Sequence, residues 1–396
     1  MDIDNLPGAD DVASIGPEAL LDRIARGDRV PVLDVRSVRE YDTWRIESES
    51  VDSRNVPYYE FLMDVDDELL ARIPPSDDEL VVVCVKGGAS AYVVGLLEAE
   101  GIAAVNLEGG LNRWAQVYDT IEVSRFEGSG TLIQYQRPSS GCLAYMVVSD
   151  GEAAVVDPLR AFTDRYLEDV EALGVELRYA IDTHVHADHV SGVRALAARG
   201  AEAVIPKPSV ARGVEYDVDY TTVADGDVLS VGGLSIRAVH TPGHTSGMTS
   251  YLVDERVILT GDSLFIESVG SPDPEGEGSA VADAVGLLYD TLDRQLLRFP
   301  DDVLVAPGHF SDAADPATDG TYTATLGELR GWMPTLGMTR EAFVESLLSD
   351  DPPRPSNFEE IIDINLGRTS VDDDEAFELE LGPNNCAVSE HPLTSD

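Results

Sequence analysis

Lysine is almost missing from this 396-residue sequence. Lys86 and Lys207 are the only two among 27 basic residues, which leaves 25 arginines against 74 acidic residues and a formal net charge of −47. A field of that sign repels phosphate backbones and excludes nucleic acid as a natural partner. Cysteine is also scarce, at Cys84, Cys142 and Cys386. An odd, small number in a chain of this size is no disulfide framework and fits a cytoplasmic setting. No run approaches the ~20 apolar residues of a membrane span. The first residues, MDIDNLPGADD, carry no basic start followed by an apolar stretch, so neither a membrane segment nor a secretory leader is expected. No repeat with a period of ~20–50 residues is present.

What is present can fold. Hydrophobic residues make up 43% and charged residues 26% of the chain, enough for buried cores. Domains mostly run ~100–200 residues, so two are expected. The acids are spread along the whole chain. One reading is an acidic interaction surface. The preferred one is a cytoplasmic protein of a salt-loving, haloarchaeal-type organism, because molar salt screens self-repulsion within about 3 Å. The melting temperature is therefore expected to rise between dilute buffer and molar KCl. An unchanged value would contradict this halophilic reading.

The first third alternates helix and strand signals. Residues 19–26 (ALLDRIAR) predict a helix, 30–35 (VPVLDV) and 80–85 (LVVVCV) buried strands, 89–100 (ASAYVVGLLEAE) a helix capped by Gly101, and 103–107 a strand before Gly109-Gly110 and a helix with Trp114. This rhythm predicts a parallel α/β sheet with helices on both faces. From residue 131 onward, hairpin-like β runs (131–136, 142–148, 152–156) give way to alternating helices and strands, then to a second β-rich stretch over 228–260. The boundary falls near residue 124, giving domains at 12–122 and 128–396. In the Pro-rich and acidic region after Asp350, residues 357–366 carry apolar spacing that predicts packing on the second domain.

The second domain contains a metal-ligand pattern. Residues 183–189 read THVHADH after an apolar strand at 179–181, with a helix-like run at 193–199. His184 and His186, two apart in extended backbone, face one side, and Asp188 and His189 follow as the chain turns toward the helix. His244 lies in TPGHTSG (241–247), Asp262 in Gly261-Asp262-Ser263, and His309 in Pro307-Gly308-His309, each after a strand. Six of the seven histidines lie between His184 and His309. Neutral imidazoles with a carboxylate suit zinc or non-haem iron. His240, at a strand end, is a candidate second-layer partner, and His391 is read as inert.

These motifs resemble the metallo-β-lactamase superfamily from about residue 128 onward. The resemblance implies an αββα sandwich with metal at one edge. It implies one site from His184, His186 and His244, and a second from Asp188, His189 and His309, with Asp262 bridging. Residues 260–273 (TGDSLFIESVGSPD) and the tail PPRPSNFEEIIDINLG with GPNNCAV are similar to the persulfide dioxygenase branch. That branch implies one Fe(II) on His184, His244 and Asp262, with a low-molecular-weight thiol persulfide oxidised to sulfite. His186, Asp188, His189 and His309 then support, with Asp188 also a catalytic candidate. Two departures stand at positions expected to touch the thiol substrate: Ser271 replaces the usual Arg, and Phe310-Ser311 replace Asp-Tyr after the last His. The alternative resemblance is to hydroxyacylglutathione hydrolase, with two Zn(II) and a thioester substrate.

Cys84 ends an apolar strand and opens the loop Cys84-Val85-Lys86-Gly87-Gly88-Ala89 before a helix. Small residues let backbone N–H groups point at sulfur, and the helix start adds positive potential; both favour the nucleophilic thiolate. With Leu33-Asp34-Val35-Arg36, Glu40-Tyr41 and Leu107-Glu108-Gly109-Gly110, this resembles a rhodanese domain. The resemblance implies Cys84 as the persulfide carrier, Asp34 and Arg36 as braces of the loop, and a sulfur donor such as thiosulfate. Ala89 stands where an Arg is common, so Lys86 is the nearby cation. Cys142 and Cys386 are read as structural. A homodimer is compatible with the sequence.

Overall fold

The computed structural model describes residues 12–63, 65–75, 79–272, 279–349 and 355–382. Among these the chain divides into two compact units, residues 12–117 with 137–140 and 381–382, and residues 118–136 with 141–380. Cys386, His391, Asp273 and most of the GPNNCAV stretch lie outside the described residues. No helix of the described residues is long and apolar enough to cross a membrane.

The first unit is a five-stranded parallel sheet. Strands β1 (Ser14–Ile15), β2 (Val30–Asp34), β3 (Val51–Asn55), β4 (Leu80–Val83) and β5 (Ala104–Leu107) lie in the order β1-β5-β4-β2-β3. The period-two side-chain alternation of a strand splits the apolar runs between two faces. Leu80 and Val82 join Leu33 and helix α4 (Gly88–Ala99), while Val81 and Val83 join Val30, Val32 and helices α1 (Pro17–Ala25) and α5 (Gly110–Trp114). Two short helices, α2 (Val38–Thr43) and α3 (Asp67–Leu70), complete the unit. Strand β3 reads VDSRN, with no apolar run to announce it.

The second unit is a four-layer αββα sandwich. One sheet holds β6 (Asp119–Glu122), β7 (Thr131–Arg137), β8 (Cys142–Ser149), β9 (Glu152–Val156), β10 (Glu176–Ile181), β11 (Glu202–Pro206) and β12 (Tyr220–Val223) in the order β12 to β6. The other runs in chain order from β13 (Val228–Val231) and β14 (Leu234–His240) through β15 (Thr249–Val253), β16 (Val257–Gly261) and β17 (Leu304–Pro307) to β18 (Ala324–Thr325). Although the sequence reading ran the first domain to 122, β6 pairs antiparallel with β7 and so forms the edge of the second unit's sheet. Tyr145, Val147, Ala154 and Val156 meet Ile236, Tyr251, Val257 and Leu259 between the sheets. The alternate residues Ala153 and Val155 face α6 (Thr163–Leu173) and α7 (Val193–Ala197). On the other outer face, Leu252, Ile258 and Val305 meet α8 (Ser279–Arg294), α9 (Leu326–Trp332) and α10 (Arg340–Ser349). Helix α11 (Phe358–Asn365) buries Ile361 and Ile364, and α12 (Asp373–Leu379) buries Ala376 beside them.

Sheet direction gathers the metal motifs. β14 and β15 are antiparallel, as are β15 and β16, while β16 and β17 are parallel. So β14, β16 and β17 point the same way and their C-terminal ends share one edge. His244, Asp262 and His309 follow those ends.

Candidate metal centre and cysteine loop

The segment 182–192 after β10 carries His184, His186, Asp188 and His189, and almost all of it is buried irregular backbone. Helix α7 begins at Val193, where the helix-like run of the sequence begins. Asp188 and His189 lie in the loop before it, whose shape is set by hydrogen bonds from elsewhere.

His184, His244 and Asp262 come together, with ligand atoms within 4.8 Å of one another. The Asp262 carboxylate Oδ2 lies 3.6 Å from His244 Nε2 and 3.9 Å from His184 Nε2. Each imidazole is oriented through its other nitrogen. His244 Nδ1 donates to the Ser271 carbonyl at 2.5 Å, and His184 Nδ1 meets the Thr183 hydroxyl at 2.8 Å. Burial, together with the neighbouring His186, holds the His184 pKa well below the usual imidazole range and keeps the ring neutral. Ser271 orients His244 through its backbone carbonyl, a contact that does not use the side chain at this position.

His309 bridges two carboxylates. Its Nδ1 lies 2.7 Å from Asp262 Oδ1 and its Nε2 2.8 Å from Asp188 Oδ2. Burial disfavours a charge there, but the two carboxylates outweigh it and raise the His309 pKa well above its usual value. A ring that donates from both nitrogens is an imidazolium with no lone pair for a cation. Burial likewise opposes charge on Asp262, and the His309 cation outweighs it, keeping the carboxyl well below its normal pKa.

His186 turns away from the triad. Its Nε2 donates to Asp157 Oδ1 at 3.1 Å and lies 3.8 Å from Asp182. Asp157 also accepts the Thr183 backbone N–H at 2.7 Å. Burial pushes the Asp182 carboxyl up to about 7, and the Ser191 hydroxyl sits 2.8 Å from it. His189 Nδ1 donates to Asp188 Oδ2 at 2.9 Å.

The unpartnered atoms test whether a cation fits. His184 Nε2, His186 Nδ1, Asp188 Oδ1, His189 Nε2 and Asp262 Oδ2 are buried with no hydrogen-bond partner. Buried polar atoms are costly unless paired. All five belong to imidazoles and carboxylates, the groups that ligate metals, so the donor set fits a divalent cation.

Two residues of the centre were missed by sequence reasoning. Asp157 directly follows β9 in a left-handed conformation (φ 53°) and orients His186. Cys142, read as structural, opens β8 and donates to Asp188 Oδ2 at 3.3 Å, in one group with His189 and His309. The cause is pairing across the sheets. Leu143 N–H donates to the Gly308 carbonyl at 2.8 Å, which sets Cys142 beside His309. The signal available in the sequence was a cysteine at the first position of a strand antiparallel to β9. His240 stays out of the centre, with its Nε2 on the Ser246 carbonyl at 3.1 Å. At the second departure, Phe310 stacks on Tyr322 with centroids 3.7 Å apart, and Ser311 N–H donates to Glu267 at 2.9 Å.

In the first unit, Cys84 Sγ accepts the Gly87 N–H at 3.1 Å and the Ser90 N–H at 3.4 Å, while the Ser90 hydroxyl, 3.2 Å from the sulfur, donates to Asn106 Oδ1 at 2.6 Å. Asp34 and Arg36 do not brace this loop directly. They pair with each other at 2.6 Å, and Arg36 also donates to the Trp44 carbonyl. Their link to the loop's strand is through backbone: β2 pairs with β4 over Val32 to Asp34, and Val35 N–H donates to the Val83 carbonyl. The brace is the Gly109-Gly110 turn, through Leu111 N–H to the Cys84 carbonyl at 2.8 Å and Asn112 N–H to the Val85 carbonyl at 3.0 Å. Gly110 has φ +62°, and a Cβ there would lie 2.3 Å from the Cys84 carbonyl. Gly110→Ala is expected to distort the loop and slow alkylation of Cys84 at unchanged pH; an unaltered alkylation rate would contradict this role.

Known proteins match both units. The metallo-beta-lactamase superfamily model matches residues 138–309, and the rhodanese-like domain model matches residues 16–117. The chain joins a rhodanese-like domain to a metallo-β-lactamase sandwich. The human mitochondrial persulfide dioxygenase ETHE1 is 28% identical over 253 residues, covering 62% of this chain and 92% of that protein. The crystal structure of ETHE1 from Myxococcus xanthus aligns at 28% identity with a TM-score of 0.51, over 59% of this chain and 97% of that one. A hydroxyacylglutathione hydrolase of Acidiphilium cryptum (strain JF-5) is 37% identical over 123 residues, 31% of this chain and 49% of that protein. The metallo-β-lactamase sandwich thus resembles enzymes of both kinds.

Proposed function

We propose that the sandwich domain oxidises a low-molecular-weight thiol persulfide at one Fe(II) held by His184, His244 and Asp262, and that Cys84 carries sulfane sulfur in the rhodanese-like domain. The reaction balances as RSSH + O₂ + H₂O giving RSH, sulfite and two protons. The observation that carries the mononuclear reading is His309, whose two nitrogens are both engaged by Asp262 and Asp188. The similarity to persulfide dioxygenases along 92% of their human member supports the substrate class.

An iron held by His184, His244 and Asp262 would supply the oxygen-activating chemistry that a two-histidine, one-carboxylate donor set suits. The chain's own residues do the rest. Thr183 and the Ser271 carbonyl fix the two imidazoles. Asp262 supplies negative charge through Oδ2 while His309 holds its Oδ1. Asp188, bonded to His189, His309 and Cys142, keeps the His309 proton in place. In the first unit, the Gly87 and Ser90 N–H groups point at Cys84 Sγ, as a sulfur nucleophile requires. Joining the two domains in one chain raises the effective concentration of a shared persulfide.

One observation favours the rival hydrolase with two Zn(II) and a thioester. His186 Nδ1 and Asp188 Oδ1 are both unpartnered and 4.0 Å apart, as a second cation would require. Oxygen uptake separates the two readings. The iron-loaded protein is expected to consume O₂ with a thiol persulfide and release sulfite in equal amount. Absence of uptake with any thiol persulfide, alongside thioester hydrolysis by the zinc-loaded protein, would overturn the dioxygenase reading.

A further inference from the structure

We propose that Asn365 and Glu380 are positioning residues of the metal centre, fixing the backbone of the ligand loop from two helices nearly two hundred residues further along the chain. The inference rests on the reading of this site as a metal centre. Loop 182–192 carries four of the candidate ligands and has almost no regular structure of its own. Its buried peptide groups must therefore be satisfied by other segments.

Asn365, the last residue of α11, meets three of them. Its Nδ2 donates to the His186 carbonyl at 2.9 Å and to the His189 carbonyl at 2.8 Å, and its Oδ1 accepts the Ser191 N–H at 2.8 Å. Glu380, just beyond α12, accepts the Val190 N–H on Oε1 at 2.8 Å. The side chains are 5% and 3% exposed. A carboxamide has two N–H donors and a carbonyl acceptor, which matches two carbonyls and one N–H. These four bonds span residues 186 to 191, so they set the path of the backbone that aims His186, His189 and Asp188, and Asp188 in turn holds His309 against the ligand carboxylate of Asp262. Ile361 and Ile364 seat the same helix on Val190 through apolar contact alone. Packing and polar clamping are thus separable in one helix. Partners that hold metal ligands from outside typically affect metal affinity ~10–100-fold.

The test is a cobalt titration of the metal-free full chain in molar KCl, followed by the visible ligand-field bands and by chelator competition. Asn365→Ala and Glu380→Ala are each expected to weaken cobalt binding about 10–100-fold and shift the bands. Glu380→Gln, which keeps the acceptor, should restore near wild-type binding. Ile361→Val should lower the melting temperature of the metal-free protein and leave cobalt affinity unchanged. Wild-type affinity in Asn365→Ala, or an equal loss in Ile361→Val, would overturn the positioning role alone. A wild-type chain that binds no cobalt would overturn the metal reading and this inference with it.

Discussion

Asp262→Asn is expected to lower affinity for the catalytic metal by at least ~100-fold, more than loss of an outer partner does, and to abolish oxygen uptake with it. The substitution keeps shape and volume. It removes the anionic oxygen that His184 and His244 face at 3.9 and 3.6 Å. It also leaves the His309 cation with one carboxylate, Asp188, instead of two. His309→Asn makes the contrast. If His309 is an imidazolium strut, this variant retains its one metal and loses turnover, because Asp262 and Asp188 lose the cation between them. If His309 is a ligand of a second metal, bound metal falls from two to one. Elemental analysis of both variants beside the wild type checks the pair. An Asp262→Asn protein with full metal content would contradict the triad.

The second large effect is expected in the first unit. Cys84→Ser should reduce sulfur transfer to an acceptor thiol to background, while oxygen uptake with an externally supplied persulfide continues at the wild-type rate. A serine hydroxyl is a poor nucleophile beside the sulfur that the Gly87 and Ser90 N–H groups hold in place. Sulfurtransferase assays and oxygen-electrode traces on the same preparation check both halves. Loss of both activities would mean that Cys84 contributes to the oxidation itself, and unchanged transfer would remove Cys84 as carrier.

The metal motifs were legible because each follows an apolar β run directly, so local sequence alone places it at a strand end. That is true of His184 after β10, His244 after β14, Asp262 after β16 and His309 after β17. The division of labour among them was not legible. It depends on which nitrogen of His309 and His186 meets which carboxylate, and Asp157, the partner of His186, follows a different strand, β9 rather than β10. Cys142 reaches the centre only because the start of β8 pairs with the loop after β17, a contact between residues more than 160 positions apart. Asn365 illustrates the same limit. The apolar spacing around it predicted packing, whereas its three bonds to loop 182–192 have no local signature. In the first unit, the Asp34-Arg36 pair invited a role at the cysteine loop. The pair closes on itself, and the glycine turn at Gly109-Gly110 braces the loop because only a residue without Cβ can approach the Cys84 carbonyl so closely.

The central claim is one catalytic iron on His184, His244 and Asp262. Its most direct test is the metal content of the full chain, purified without chelator in high salt and, if zinc is found near one per chain, repeated after anaerobic reconstitution with iron. About one iron per chain is expected, coupled to oxygen uptake with a thiol persulfide. About two zincs per chain that persist through reconstitution, with thioester hydrolysis and no oxygen uptake, would contradict it.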